Sequence, residues 1–166
     1  MKLFIALVTL LGLAACHSTD VASKRCELQR LSILSTDSSR NEIYAGRSGD
    51  IEVQFRNENA PTAADVFPDP LVTINNRATG KSCDIKDGGG IWSGKSVYLD
   101  ADRRILILNE YSGANDSLIF YNPMTCERLT QIDVSNKQWA ILKDRIRLGQ
   151  QELTLDSRCL AQALKH

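Results

Sequence analysis

Histidine is almost missing from this chain: two in 166 residues, His17 and His166, one near the start and one at the last position. Chain ends are where order is weakest, so acid–base or nucleophilic chemistry built on histidine is set aside. Net charge is missing as well, because 20 Lys+Arg balance 20 Asp+Glu and the pI is near 6.7. A chain without a basic surplus has no global attraction for polyphosphate, which excludes nucleic acid as the expected partner and removes a charge-driven membrane-surface role. Aromatic residues make up 6% of the chain and proline occurs four times. No helical apolar period of three turns is written anywhere; Ser157 to Lys165 could form one short helical turn. The last four of the five cysteines, Cys26, Cys83, Cys126 and Cys159, are 57, 43 and 33 residues apart. Zinc sites pair their ligands two to four residues apart, so no metal site is expected.

What is present begins at the amino terminus. Met1-Lys2 is a short positive start, Leu3 to Leu13 is apolar except for Thr9 and Gly12, and Leu13-Ala14-Ala15 precedes Cys16. The pattern is that of a secretory signal peptide over residues 1–15. Eleven to fifteen apolar residues at ~1.5 Å each are too short for a ~30 Å hydrocarbon core, which argues against a membrane span. The tetrapeptide Leu13-Ala14-Ala15-Cys16 resembles the lipobox of bacterial lipoproteins. The resemblance implies lipidation of Cys16, cleavage before it and stable anchoring to a bilayer by its acyl chains. His17, rather than Asp, after the lipidated cysteine implies the outer membrane, facing the periplasm. Residues 16–25 then read as lipidated terminus and tether, and residues 26–166 as a single domain.

In an exported domain the four remaining cysteines read as two disulfides, with three connectivities open. Each follows or opens a short alternating segment: Leu71 to Asn75 before Cys83, Leu118 to Asn122 before Cys126, Leu153 to Asp156 before Cys159. This suggests about three repeat units of β-structure. If the last unit closes on the first, Cys26 pairs with Cys159 and Cys83 with Cys126. Further short period-two runs lie near Glu27 to Leu34, Ile51 to Phe55, Ser96 to Leu99, Ile105 to Asn109, Ser117 to Tyr121, Leu129 to Val134, Trp139 to Leu142, Arg145 to Leu148 and Glu152 to Leu155. Turn-forming residues separate them, among them Ser48-Gly49-Asp50, Pro68-Asp69-Pro70 and Ser112-Gly113. The expected fold is all-β, with short antiparallel strands in a propeller-like stack or a sandwich. The stretch from Ser96 through Leu118-Ile119-Phe120-Tyr121 to Cys126 resembles one propeller blade, although three units fall short of the four blades a propeller normally needs.

Three motifs tempt. Gly89-Gly90-Ile91-Trp92-Ser93-Gly94-Lys95-Ser96 spells the phosphate-loop expression, yet a strand rather than a helix follows it, so no nucleotide is expected and the segment reads as a loop displaying Trp92 and Lys95. Asp100 and Asp102, with Asn109 and Glu110, offer calcium-type oxygens, but Arg104 and Ile105 stand where the calcium loop wants Asp/Asn and Gly, so a turn is the expectation. Paired carboxylates could hydrolyse glycans, but no arrangement in the sequence singles out a pair. No cofactor and no enzymatic activity are expected.

Tyr111-Ser112-Gly113-Ala114-Asn115-Asp116 joins two strands as a polar loop with one aromatic, a composition suited to binding surfaces. Tyr111, Asn115 and Asp116, with Trp92 and Lys95, are the candidate contact residues for a protein partner in the envelope. Small β-rich envelope lipoproteins of this look include lysozyme inhibitors and immunity proteins against injected cell-wall hydrolases. The resemblance implies a stiff hairpin that plugs a hydrolase cleft. An assembly accessory of the outer membrane and a glycan or ion binder are the alternatives.

Overall fold

A computed structural model describes residues 25–68 and 71–161. The expected signal peptide, Cys16, the tether up to Lys24, Asp69-Pro70 and His166 lie outside the described residues. Fourteen strands and no helix are present among the described residues. In chain order they are β1 (Leu28–Arg30), β2 (Leu34–Ser35), β3 (Ile43–Ser48), β4 (Ile51–Arg56), β5 (Val66–Pro68), β6 (Val72–Asn76), β7 (Lys81–Ile85), β8 (Ile91–Asp100), β9 (Leu106–Ser112), β10 (Asn115–Tyr121), β11 (Arg128–Asp133), β12 (Trp139–Ile141), β13 (Arg145–Leu148) and β14 (Gln151–Thr154).

They form three antiparallel sheets. A five-stranded sheet runs β2-β3-β4-β6-β7, a three-stranded sheet runs β12-β13-β14, and the largest runs β1-β8-β9-β10-β11 with β5 also on β8. A register shift between Trp92 and Val97 divides β8, so that β5 pairs with its first half and β1 with its second.

The largest sheet is the middle layer. Leu106, Leu108, Ile119 and Tyr121 pack with Val53, Phe55, Val72 and Ile74 of the five-stranded sheet. Ile107, Leu118 and Phe120 point the other way and pack with Ile146 of the three-stranded sheet and Leu155. This explains the unbroken run Ile105-Leu106-Ile107-Leu108, which a sheet with one wet face would have written as an alternation. By contrast β4 alternates, with Val53 and Phe55 facing inward. Its Glu52 is nevertheless buried, accepting hydrogen bonds from Arg47, Gln54 and Asn75.

Cys26 is joined to Cys159 and Cys83 to Cys126. The first bond is buried in the second core and closes the chain over 133 residues; the other ties β7 to the turn between β10 and β11 across 43. The sandwich form of the sequence expectation fits this layering. The Cys-bounded units do not coincide with the sheets, because the first unit supplies β1 and β5 to the middle sheet and β2, β3, β4 and β6 to an outer one. The blade-like stretch is the meander β8-β9-β10 at the centre of the middle layer.

Because both faces of β9 are packed, Ile107→Ala and Leu108→Ala should each cost about 2–5 kcal/mol in urea unfolding; a loss under about 1 kcal/mol at either would show that its face is not a packed one. Acid should also find a specific weak point. Burial opposes the charge on Glu52, but the donors Arg47, Gln54 and Asn75 outweigh it and hold the carboxyl below its ordinary 4.5. A folded-state value below the unfolded one gives stability that is complete above 4.5 and lost as pH falls through the lower value. Glu52→Gln should therefore flatten the stability decline measured between pH 5 and pH 3 relative to the unaltered protein.

Candidate functional site

The β9–β10 hairpin carries the most exposed turn that grows directly out of the doubly packed strands. Tyr111 pairs with Asp116 and Ser112 with Asn115, leaving only Gly113 and Ala114 as the turn. Gly113 has φ +59°, the left-handed value that the first position of a tight hairpin turn requires and that suits glycine. Ser112, Gly113, Ala114 and Asn115 are all exposed and Tyr111 is half-buried. The segment is therefore stiffer than the adaptable loop expected from composition: four of its six residues are in strands.

Asp116 braces the base of this hairpin. Its carboxylate accepts from Asn109 Nδ2 at 2.5 Å and from the Trp139 indole N–H at 3.2 Å, while its backbone N–H donates to Ser135 Oγ at 2.9 Å. Val134 N–H donates to the Asp116 carbonyl at 2.9 Å. The brace thus ties the two hairpin strands to each other and joins them to the loop after β11 and to β12. Ser135 is itself held by its N–H on Asp133 Oδ1 at 2.9 Å, and hydrogen bonds from Ser135 keep the Asp133 carboxyl below its ordinary value. The sequence offered Asn109 as a calcium-type oxygen rather than as part of a brace, and it gave Ser135 and Trp139 no role in the site. The one available signal was a polar Asn ending the apolar run of β9.

Trp92 departs from expectation. It is wholly buried, 6.4 Å centre to centre from Tyr121 and edge-on to it. The residues after Gly90 are the strand β8, not a display loop, and in the pleat of β8 Trp92 faces the first core. Lys95 lies in the irregular part of β8, exposed, with its Nζ 2.5 Å from Asp65 Oδ2. Both groups are about two-thirds exposed, so the pair contributes little stability. Of the five candidate contact residues the hairpin brings together Tyr111, Asn115 and Asp116; Asn115 is exposed, and Tyr111 and Asp116 are both half-buried.

Beside the hairpin base, Tyr121 donates its hydroxyl to Asp87 Oδ1 at 3.2 Å, and Arg128 stands 3.9 Å from Asp87 Oδ2. Burial first, and then the Asp87 charge, push the Tyr121 phenol above its ordinary 10, which keeps the donating proton in place. The calcium-type oxygens are committed elsewhere: Asp100 is buried and accepts the backbone N–H groups of Arg104 and Ile105 at 2.5 and 2.7 Å. Among the described residues no three His, Cys, Asp or Glu side chains are grouped to hold a metal ion.

The site is therefore an exposed hairpin whose base is held by side-chain hydrogen bonds. Residues 26–164 match the family described as Immune protein Tsi1. The chain belongs to the Tsi1 immune protein family. It is also similar to the Immune protein Tsi1 of Pseudomonas aeruginosa, with 36% identity over 126 residues that cover 75% of this chain and 72% of that protein. The Tsi1 match takes in all four disulfide cysteines, the hairpin and its brace.

Asp116→Ala should leave the Trp139 N–H without its acceptor and the Asn109 amide with only the Ser117 carbonyl, costing about 1–3 kcal/mol. In hydrogen–deuterium exchange residues 110–117 should lose protection while β4 and β6 keep theirs; equal loss in both sheets would mean general destabilisation.

Proposed function

We propose that this protein is a non-enzymatic immunity protein, anchored through acylated Cys16 to the periplasmic face of the outer membrane, that blocks a lysozyme-like cell-wall hydrolase. The observation that carries the reading is the β9–β10 hairpin, whose four tip residues are exposed while its strands are packed on both faces. A plug of this kind loses little conformational freedom on binding, so more of its contact energy is retained as affinity. Membership of the Tsi1 family supports immunity as the role, and the lipobox-like Leu13-Ala14-Ala15-Cys16 supports the address. Cell-wall hydrolases act in the compartment that this address implies. Tyr111 supplies an aromatic contact at the hairpin shoulder, and Ser112 and Asn115 supply hydrogen-bonding groups at the tip.

A second reading, an assembly accessory, draws on β11, the last strand in the middle sheet's order, whose outer edge pairs with no strand among the described residues. Such an edge can accept a strand from another protein.

Affinity capture with the oxidised domain against a panel of cell-wall hydrolases tests the first reading. A hydrolase bound one-to-one should lose activity, and Tyr111→Ala or Asn115→Ala should weaken binding tenfold or more, with Lys95→Ala near neutral. Capture of outer-membrane assembly proteins with every hydrolase unaffected would replace it by the second. Cys16→Ser should release the protein from the membrane fraction; retention there would overturn the lipid anchor.

A further inference from the structure

The Trp92 indole N–H is unusual. It is the only buried side-chain nitrogen or oxygen among the described residues that lacks a hydrogen-bond partner. Buried donors are nearly always satisfied, so what covers this one has a bearing on what the site does. The cover is the segment Lys86 to Gly90, which joins β7 to β8 and belongs to no strand. Gly88 lies directly on the indole edge: a Cβ there would stand 2.6 Å from Cζ2 and 3.3 Å from Nε1 of Trp92. Only glycine allows that approach.

Side chains, not strand pairing, hold this cover down. Gly89 N–H donates to Glu110 Oε1 at 2.7 Å, and Asp87 receives the Tyr121 hydroxyl and faces Arg128. At its two ends the segment is fixed by buried Ile85 and by Ile91, which pairs with Tyr111. A Cβ on Gly90 would meet the Tyr111 carbonyl oxygen at 2.7 Å, so the far end of the cover rests against the hairpin shoulder.

We propose that Lys86 to Gly90 is a hinged strap, latched by Glu110 on the Gly89 N–H, whose lifting bares the Trp92 N–H edge next to the β9–β10 hairpin. Three successive glycines supply the backbone freedom for the movement. Ile85 and Ile91 are its fixed ends. Lifting leaves the Trp92 donor and the Glu110 carboxylate acceptor side by side, since these two residues are cross-strand partners on β8 and β9. One donor beside one acceptor is the complement of a peptide group, so the open strap adds a contact for a polypeptide that the closed form withholds. The device belongs to the free protein and does not depend on which partner the hairpin meets.

Solvent exchange of the two indole N–H groups, followed by NMR on the oxidised domain and assigned with Trp139→Phe, tests the strap. In the unaltered protein the Trp92 N–H should exchange at least tenfold faster than the backbone N–H groups of Leu108 and Ile119, which open only with the core. Glu110→Ala should speed Trp92 exchange a further tenfold or more with the core amides unchanged. Glu110→Gln, which keeps an acceptor oxygen, should stay within about threefold of the unaltered rate. Trp92 exchange that matches the core amides and does not respond to Glu110→Ala would overturn the strap. Equal acceleration of Trp92 and the core amides would overturn it too, since Glu110 would then be a general stabiliser.

Discussion

Everything in this protein depends on burying β9 and β10 on both faces. Leu106 and Leu108 enter one core and Ile107 enters the other, so a shift of register by one residue would send each set into the wrong layer. This sheet has no wet side at its centre, so both sets of side chains must meet a packed layer. The outer sheets are positioned by what the middle sheet presents to them. The two disulfides then act at different depths, one closing the second core around Cys26 and Cys159, the other pinning β7 of an outer sheet to the turn at the far end of the hairpin strands.

That double packing is also what makes a short hairpin useful. A two-residue turn on a half-solvated ribbon would sample many orientations, and binding would have to freeze them. Here the strands leading to Ser112 and Asn115 come straight from the core, and Asp116 fastens the last layer before the tip to Asn109, Ser135 and Trp139. The same carboxylate that composition marks as a contact also sets the orientation of the hairpin. The proposed contact is made by Tyr111, Ser112 and Asn115, and membership of the Tsi1 immune protein family supports an immunity role for the protein.

Much of the fold is legible in the sequence, and the exceptions have physical causes. Arg145 to Leu148 is read to the residue, and β4, β6, β10 and β11 to within a few, because their alternation or apolar runs are written plainly. β3 escapes because Ala45-Gly46 breaks its pattern; there the chain passes so close to Ser32 and Ile33 that a side chain would not fit. β5 ends in Pro68, a residue that reads as a turn, and β7 has only Ile85 fully buried. The site divides in the same way. Tyr111 and Asn115 are visible from local turn composition. Trp92 misleads because its cover, Gly88, is recognisable as a cover only in three dimensions, and the bracing role of Asp116 is hidden because one of its partners is Trp139, 23 residues on.

The Cys26–Cys159 bond has a mechanical meaning as well. The first described residue, Arg25, stands immediately before Cys26, so tension applied along the chain from its amino-terminal side enters the domain at that cysteine. It divides there between β1, which lies along the edge of β8, and Cys159, which anchors the stretch after β14. Load is shared by the middle layer and the three-stranded sheet, and β1 cannot be peeled away while the covalent strut holds.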